Sequence, residues 1–185
     1  MITSAELEAA RQRSAEMLNA AGIVARLDEI EQIEVADLGL SELQLSGVQI
    51  LTLVDTEKIA ARVLVLFPCQ TEPEHRHPSL GEYPGKEETI RCHWGVLYLY
   101  TPGEPTPEPV ASPPAHCRHT YTVWHEHILH PGGQVTLQPN TPHWFQGGPE
   151  GAVVWIFSTK ATDLADIFTD PDICRVTVVC DASEA

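Results

Sequence analysis

The stretch Pro73-Glu74-His75-Arg76-His77 sets two imidazoles one residue apart. Side chains alternate along a β-strand, so His75 and His77 share one face while Arg76 points the other way. A strand with two imidazoles on one face supplies half of a metal site. Glu88 and His143, distant in sequence, can supply the other half from strands that neighbour it in a barrel. Nitrogen and oxygen donors in this mixture suit one divalent first-row metal such as Mn, Fe, Co, Ni or Zn.

The flanking segments fit that picture. Alternation also puts Lys86, Glu88, Ile90 and Cys92 on one face, so Lys86 points into the cavity that Glu88 faces. The run Arg62-Val63-Leu64-Val65-Leu66-Phe67 leads through Pro68 towards His75. Downstream, the turn Pro139-Asn140-Thr141-Pro142 ends one strand and lets His143 open the next.

Short β-rich runs fill the rest of the chain: 33–35, 43–53, 60–67, 90–100, 121–129, 134–137, 152–158 and 174–179, each bounded by Gly, Pro, Asn or Asp. Many short strands with regular turn signals predict an all-β sandwich or barrel. Neither a βαβ rhythm nor a glycine-rich phosphate loop is present. Residues 78–86 read as a loop. Residues 101–114 contain six prolines and read as a rigid surface excursion, because proline cannot donate to a strand ladder. Before the strands, Thr3 and Glu6 form a capping box, and apolar spacing predicts a helix over 4–21 that stops at Gly22. That helix is expected to cover one open side of the domain. The organisation is thus a helix with a connecting segment, 1–31, and one barrel domain, 32–185.

The formal net charge of −15 argues against nucleic acid or an anionic membrane as partner, since both need a basic patch. No stretch reaches the roughly 18 apolar residues of a membrane span. Residues 1–8 carry no basic, apolar leader. The five cysteines show no paired spacing and read as reduced thiols, which predicts a cytoplasmic protein.

The ordered set of His75, His77, Glu88, Gly95, Pro139 and His143 resembles the two motifs of the cupins. The segments QIEVADLG (32–39), EHRHP (74–78), GKEET (85–89), YTVWHE (121–126), PNTPHWFQ (139–146) and FTDP (168–171) are similar to the D-lyxose isomerase family within that superfamily. The resemblance implies a cupin-type double-stranded β-helix, a jelly-roll barrel with an N-terminal helix. It implies that His75, His77, Glu88 and His143 hold one divalent metal, most often Mn²⁺. It also implies a metal-dependent aldose–ketose isomerase acting through an enediol on a small free sugar, of the D-lyxose/D-xylulose or D-mannose/D-fructose type. Members of this kind usually form homodimers.

The chemistry suits these residues. An aldose–ketose isomerase moves a proton between C1 and C2, and a metal polarises the carbonyl as it does so. Lys86 is expected to orient the sugar or stabilise the oxyanion. A general base is also required. The resemblance leads one to expect a carboxylate in the strand before Ser158-Thr159, yet Ile156 stands there. Glu126 is the carboxylate chosen by motif, with Glu74 and His125 near it. Two rival readings follow. One is a metal-binding cupin with oxygenase-type chemistry. The other is a sugar-binding cupin that lacks turnover because of Ile156.

Other candidates have plainer readings. His125 and His127 read as a strand pair at the surface or in the core. His116, Cys117 and His119 lack a fourth ligand for zinc. Trp144 and Phe145 read as core or cavity wall, and either could stack on a sugar. His93 and His130 read as surface residues.

Overall fold

The computed structural model describes residues 1–181. A two-residue strand β1 (Ile2–Thr3) leads into helix α1 (Ser4–Ala20), followed by a short helix α2 (Leu27–Glu31). The Thr3–Glu6 capping box is formed, and Gly22 takes the positive φ that ends a helix. Ala10, Ser14 and Leu18, at i, i+4 and i+8, are the buried stripe of α1.

Strands β2 (Glu34–Ala36), β3 (Val48–Asp55), β4 (Ile59–Leu66), β5 (Thr71–Arg76), β6 (Glu88–Thr101), β7 (His125–Leu129), β8 (Gln134–Leu137), β9 (His143–Thr159) and β10 (Ile167–Phe168) form one sheet that folds over itself. A last short strand, β11 (Val179–Cys180), pairs with β1. The long strands β6 and β9 run antiparallel and belong to both layers. Their first layer is β2-β3-β4, the end of β9, the start of β6, and β8. Their second layer is β10-β5, the start of β9, the end of β6, and β7. This is the predicted jelly roll.

The two layers come apart where β6 and β9 bend, and both β6–β9 register shifts lie there, at Cys92/Trp94 and Gly95/Leu97. A Cβ on Gly95 would lie 2.2 Å from the Gly151 carbonyl oxygen, so the crossing requires glycine. Because of this bend, β9 spans His143–Thr159, where the turn residues Gly147, Gly148, Pro149 and Gly151 had suggested a break before 152.

Alternation in β4 sorts its residues between two cores. Leu64 and Leu66 face the barrel interior with Ile90, Leu97, Phe145 and Ile156. Val63, Val65 and Phe67 face outward and are sealed by Leu18 and other α1 residues. The helix therefore covers one side of the barrel, as expected. Each fully buried aliphatic side chain contributes about 1.5–3 kcal/mol, so both faces of this layer stabilise the fold.

Some strand limits differ from expectation. Residues 42–46 form a turn, with the Ser46 amide donating to the Glu42 carbonyl, so β3 starts only at Val48. Strand β7 starts at His125 rather than at 121, because the Thr122 and Val123 amides donate to the Glu74 carboxylate instead of a ladder. From the expected strand 174–179, only Val179 pairs. The proline-rich excursion carries no regular element. It is pinned to the barrel by Ala111 N–H to Tyr100 Oη, 2.9 Å, and Val110 N–H to Glu126 Oε1, 2.7 Å.

Candidate active site

The histidines converge because three strand segments meet at one end of the barrel interior. His75 in β5 pairs directly with His143 at the start of β9. His77 follows β5, and Glu88 opens β6 on the opposite layer. All four side chains are buried. Gly85, at φ +105°, brings the returning loop against the His77 and Pro78 carbonyls, and a Cβ there would lie 2.7 Å from the His77 oxygen. That close approach aims Lys86 and Glu88 inward.

Each ring is held by its Nδ1. His75 Nδ1–H donates to the Pro73 carbonyl at 2.9 Å, and His143 Nδ1–H to the Thr141 carbonyl at 3.0 Å. His77 Nδ1–H donates to Asp166 Oδ1 at 2.7 Å. These bonds leave the Nε2 atoms to face one another, the orientation a metal ligand needs. One ligand nitrogen from each of the three histidines lies within 4.8 Å of the others. His143 Nε2 is buried and has no hydrogen-bond partner among the described residues. Glu88 Oε2 lies 3.1 Å from His77 Nε2 and 3.8 Å from His143 Nε2. Neighbouring ligands of an octahedral ion with bonds near 2.1 Å stand about 3 Å apart, so the three imidazoles form a group compatible with a divalent metal, and the Glu88 carboxylate lies beside two of them.

The charges are strongly perturbed. Burial, with His143 and His77 adding to it, pushes His75 well below the ordinary imidazole value. Burial likewise lowers His143 to about 3. For His77 burial works the same way, but Glu88 and Asp166 outweigh it and raise the ring to about 9. Burial opposes the charge of Glu88, yet Lys86 and His77 hold it well below the usual carboxylate range. Lys86 Nζ lies 3.1 Å from Glu88 Oε1 and 3.3 Å from Asp163 Oδ1, and these carboxylates overcome burial to keep it charged.

Beside the histidines lies a narrow inner cavity whose walls include Glu72, Lys86, Glu88, Ile156, Asp163 and Arg175. Its free space of about 30 Å³ is the size of one water molecule. Arg62, Asp163 and Arg175 also line an outer cleft of about 380 Å³, a size suited to a small ligand. The Arg62–Asp163 ion pair stands between the two spaces. A larger cavity, about 560 Å³, lies between α1 and residues 41–45 and carries none of the clustered imidazoles.

Of the residues expected to act, His75, His77, Lys86, Glu88 and His143 come together. Glu126 does not join them. Its carboxylate accepts from Tyr100 Oη–H and the Val110 amide, on the far part of β6, and secures the proline-rich excursion. Glu74 is fully engaged as well, accepting from Thr122, Val123 and Thr169. His125 Nδ1–H donates to the Glu104 carbonyl, and His127 bonds Thr101 Oγ1. Trp144 stacks on Tyr100 at 3.9 Å within a separate core, whereas Phe145 lines the cavity. His116 lies 3.5 Å from Glu42, and no metal cluster forms around Cys117 among the described residues. His93 lies at the surface, as expected, and its Nε2 bonds the Ala21 carbonyl at 2.9 Å.

Sequence reasoning passed over Glu72, Arg62, Asp163, Asp166 and Arg175. Arg62 had a usable signal: it shares parity with the inward Leu64 and Leu66. Glu72 did not. Extrapolating back from His75 places it on the other face, but a register shift between Glu72 and His75 turns it inward. Asp163 and Asp166 lie after β9 in a segment without periodic pattern.

No known family model matches the chain. Curated relatives do. A D-lyxose ketol-isomerase of Thermofilum sp. (strain ex4484_79) is 49% identical, over 95% of this chain and 98% of its own. One of Cohnella laeviribosi is 49% identical over 94% of this chain and 96% of its own. A D-lyxose/D-mannose isomerase of Thermosediminibacter oceani is 48% identical over 95% and 97%. Among solved structures, the L-ribose isomerase of Cellulomonas parahominis superposes with a TM-score of 0.80 at 15% identity, covering 97% of this chain and 98% of that one. That of Acinetobacter sp. DL28 gives 0.81 at 14% identity with the same coverage. These two share the fold.

Proposed function

The chain belongs to the D-lyxose isomerase family, and from that premise we propose that it interconverts D-lyxose and D-xylulose, or the D-mannose and D-fructose pair, with one Mn²⁺ held by His75, His77, Glu88 and His143. The observation that carries this reading is the convergence of three buried imidazoles, their Nδ1 atoms all committed, beside a carboxylate 3.1 Å from the nearest ring. When bound, the metal supplies polarisation of the sugar carbonyl and stabilisation of the negative charge that develops on it.

The protein's own groups do the rest. Lys86 carries a charged ammonium on the cavity wall and donates a hydrogen bond to a sugar oxygen as it becomes anionic. Phe145 and Ile156 keep that part of the wall apolar and exclude water. Arg62 and Asp163 stand at the boundary with the outer cleft, and an open-chain pentose, too large for the inner space alone, is accommodated when that pair parts and joins the inner space to the outer cleft. We place the protein in the cytoplasm as a homodimer. The free thiols of Cys69, Cys92, Cys117, Cys174 and Cys180 support a reducing compartment.

The test is a panel of pentoses and hexoses with Mn²⁺, Co²⁺ and Fe²⁺, scored for ketose. The expected result is D-xylulose from D-lyxose with Mn²⁺ and none after chelation. Oxygen uptake with no ketose would favour the oxygenase reading. Pentose binding with no ketose would favour the binding-protein reading.

A further inference from the structure

Isomerisation needs a group that takes a proton from one carbon and returns it to the next. The position where such an acid was expected, Ile156, is indeed on the wall of the inner cavity, so its side chain meets the reaction space and carries no proton. The carboxylates chosen from sequence, Glu126 and Glu74, are both spent on structural hydrogen bonds. Glu88 is committed to His77 and Lys86, and Asp163 to Arg62 and Lys86. Asp166 is committed to His77.

One carboxyl in this cavity is uncommitted. Glu72, in β5, is buried, lines the same space as His75, Lys86, Glu88 and Ile156, and its Oε2 has no hydrogen-bond partner among the described residues. A buried carboxyl oxygen without a partner carries a desolvation cost, and such exceptions call for a reason. We infer that Glu72 is the catalytic acid–base of this isomerase, reaching the sugar from the β5 wall in place of the acid absent at position 156. The inference rests on the isomerase reading above.

In the aldose-to-ketose direction, the Glu72 carboxylate takes the proton from C2. The C2–H electron pair becomes the C1=C2 bond, and O1 receives the carbonyl electrons. The O2 proton passes to O1. The C2=O2 bond forms, the C1=C2 pair takes a proton from the Glu72 carboxyl, whose proton exchanges with solvent between the two transfers in part of the turnovers, and C1 becomes CH₂OH. C1 is reduced as C2 is oxidised, and no outside redox partner takes part. Burial, opposed by Arg175 and Lys86 and aided by Asp166 and Glu88, supports this role by raising the Glu72 carboxyl to about 8 in all. Both of its protonation states are then accessible near neutral pH, as an efficient proton carrier requires.

The test compares Glu72→Gln with the wild type, both Mn²⁺-loaded, by metal content, calorimetric D-lyxose binding and ketose formation. Glu72→Gln is expected to keep its metal and bind the sugar while kcat falls about 100-fold or more. The double variant Glu72→Gln/Ile156→Glu, which moves the carboxyl to the facing wall, is expected to regain part of that loss. Ketose formation by Glu72→Gln within threefold of wild type would overturn the assignment, as would loss of sugar binding in proportion to turnover. A wild type that forms no ketose from any aldose would overturn the isomerase reading itself and Glu72 with it.

Discussion

The two walls of the inner cavity are built differently. The wall made by β5 and the start of β9 carries His75, His143 and Glu72, and its register shifts between Glu72 and His75. The wall made by β4, the end of β9 and the start of β6 runs in regular register through Arg62, Ile156 and Ile90, and its Glu88 and Lys86 follow simple alternation. The regular wall places one carboxylate and one ammonium towards the metal side and leaves an apolar patch at Ile156. The irregular wall turns a second carboxyl into the space facing that patch. A single bulge thus moves an ionisable group from one side of the reaction space to the other without disturbing the ligands.

The largest effect should come from the ligand that joins the walls. Glu88→Gln removes the one anionic donor, and metal affinity should fall by more than the 10–100-fold typical of supporting residues, about 100-fold or more. Metal analysis after dialysis reads this, and full retention would remove Glu88 from the site. Next, Lys86→Ala should keep its metal but lose about 100–1000-fold in kcat, the usual cost of one donor to a developing oxyanion. Near-normal turnover would show that the regular wall contributes only the carboxylate. Asp166→Asn weakens the bond that orients His77, and metal affinity should fall about 10–100-fold.

The smallest effect is a proton count. In the metal-free protein His77 is raised to about 9, so it is charged at neutral pH, and its Nε2–H points at Glu88. A proton and a metal compete for that nitrogen. Metal affinity should therefore climb as pH rises towards about 9, with about one proton released per ion at pH 7. Calorimetry in buffers of different ionisation enthalpy measures that number. The same group stabilises the metal-free fold fully below its ordinary value of 6.5, and that contribution is lost as pH rises through about 9.

Much of the regular wall and the His75–His77 pair were legible in the sequence, because period-two alternation holds from Lys86 to Cys92 and from His75 to His77, whereas Glu88 and His143 were joined to that pair as ligands by the resemblance to the cupin motifs. The capping box and the stripe of α1 were legible for the same kind of reason, since local spacing decides them. Glu72 was not, because a bulge inverts parity and nothing in the local residue types announces it. Glu126 was misplaced by a different route. Its motif lies in a strand next to Tyr100, at the far end of β6 from Glu88, and only the fold reveals that distance along the barrel. Asp163 and Asp166 reach the cavity from a segment whose course is set by tertiary contacts with Arg62, Lys86 and His77 rather than by local pattern.

The most direct test of the whole account is solvent-deuterium incorporation during isomerisation of D-lyxose in D₂O by the Mn²⁺-loaded protein, followed by proton NMR over many turnovers. Proton transfer through a carboxyl that exchanges with solvent predicts deuterium at C1 of the ketose and C2 of the aldose for the wild type. It predicts none above background for Glu72→Gln over the same period. Ketose formed with no deuterium at either carbon, or equal incorporation by the wild type and Glu72→Gln, would contradict it.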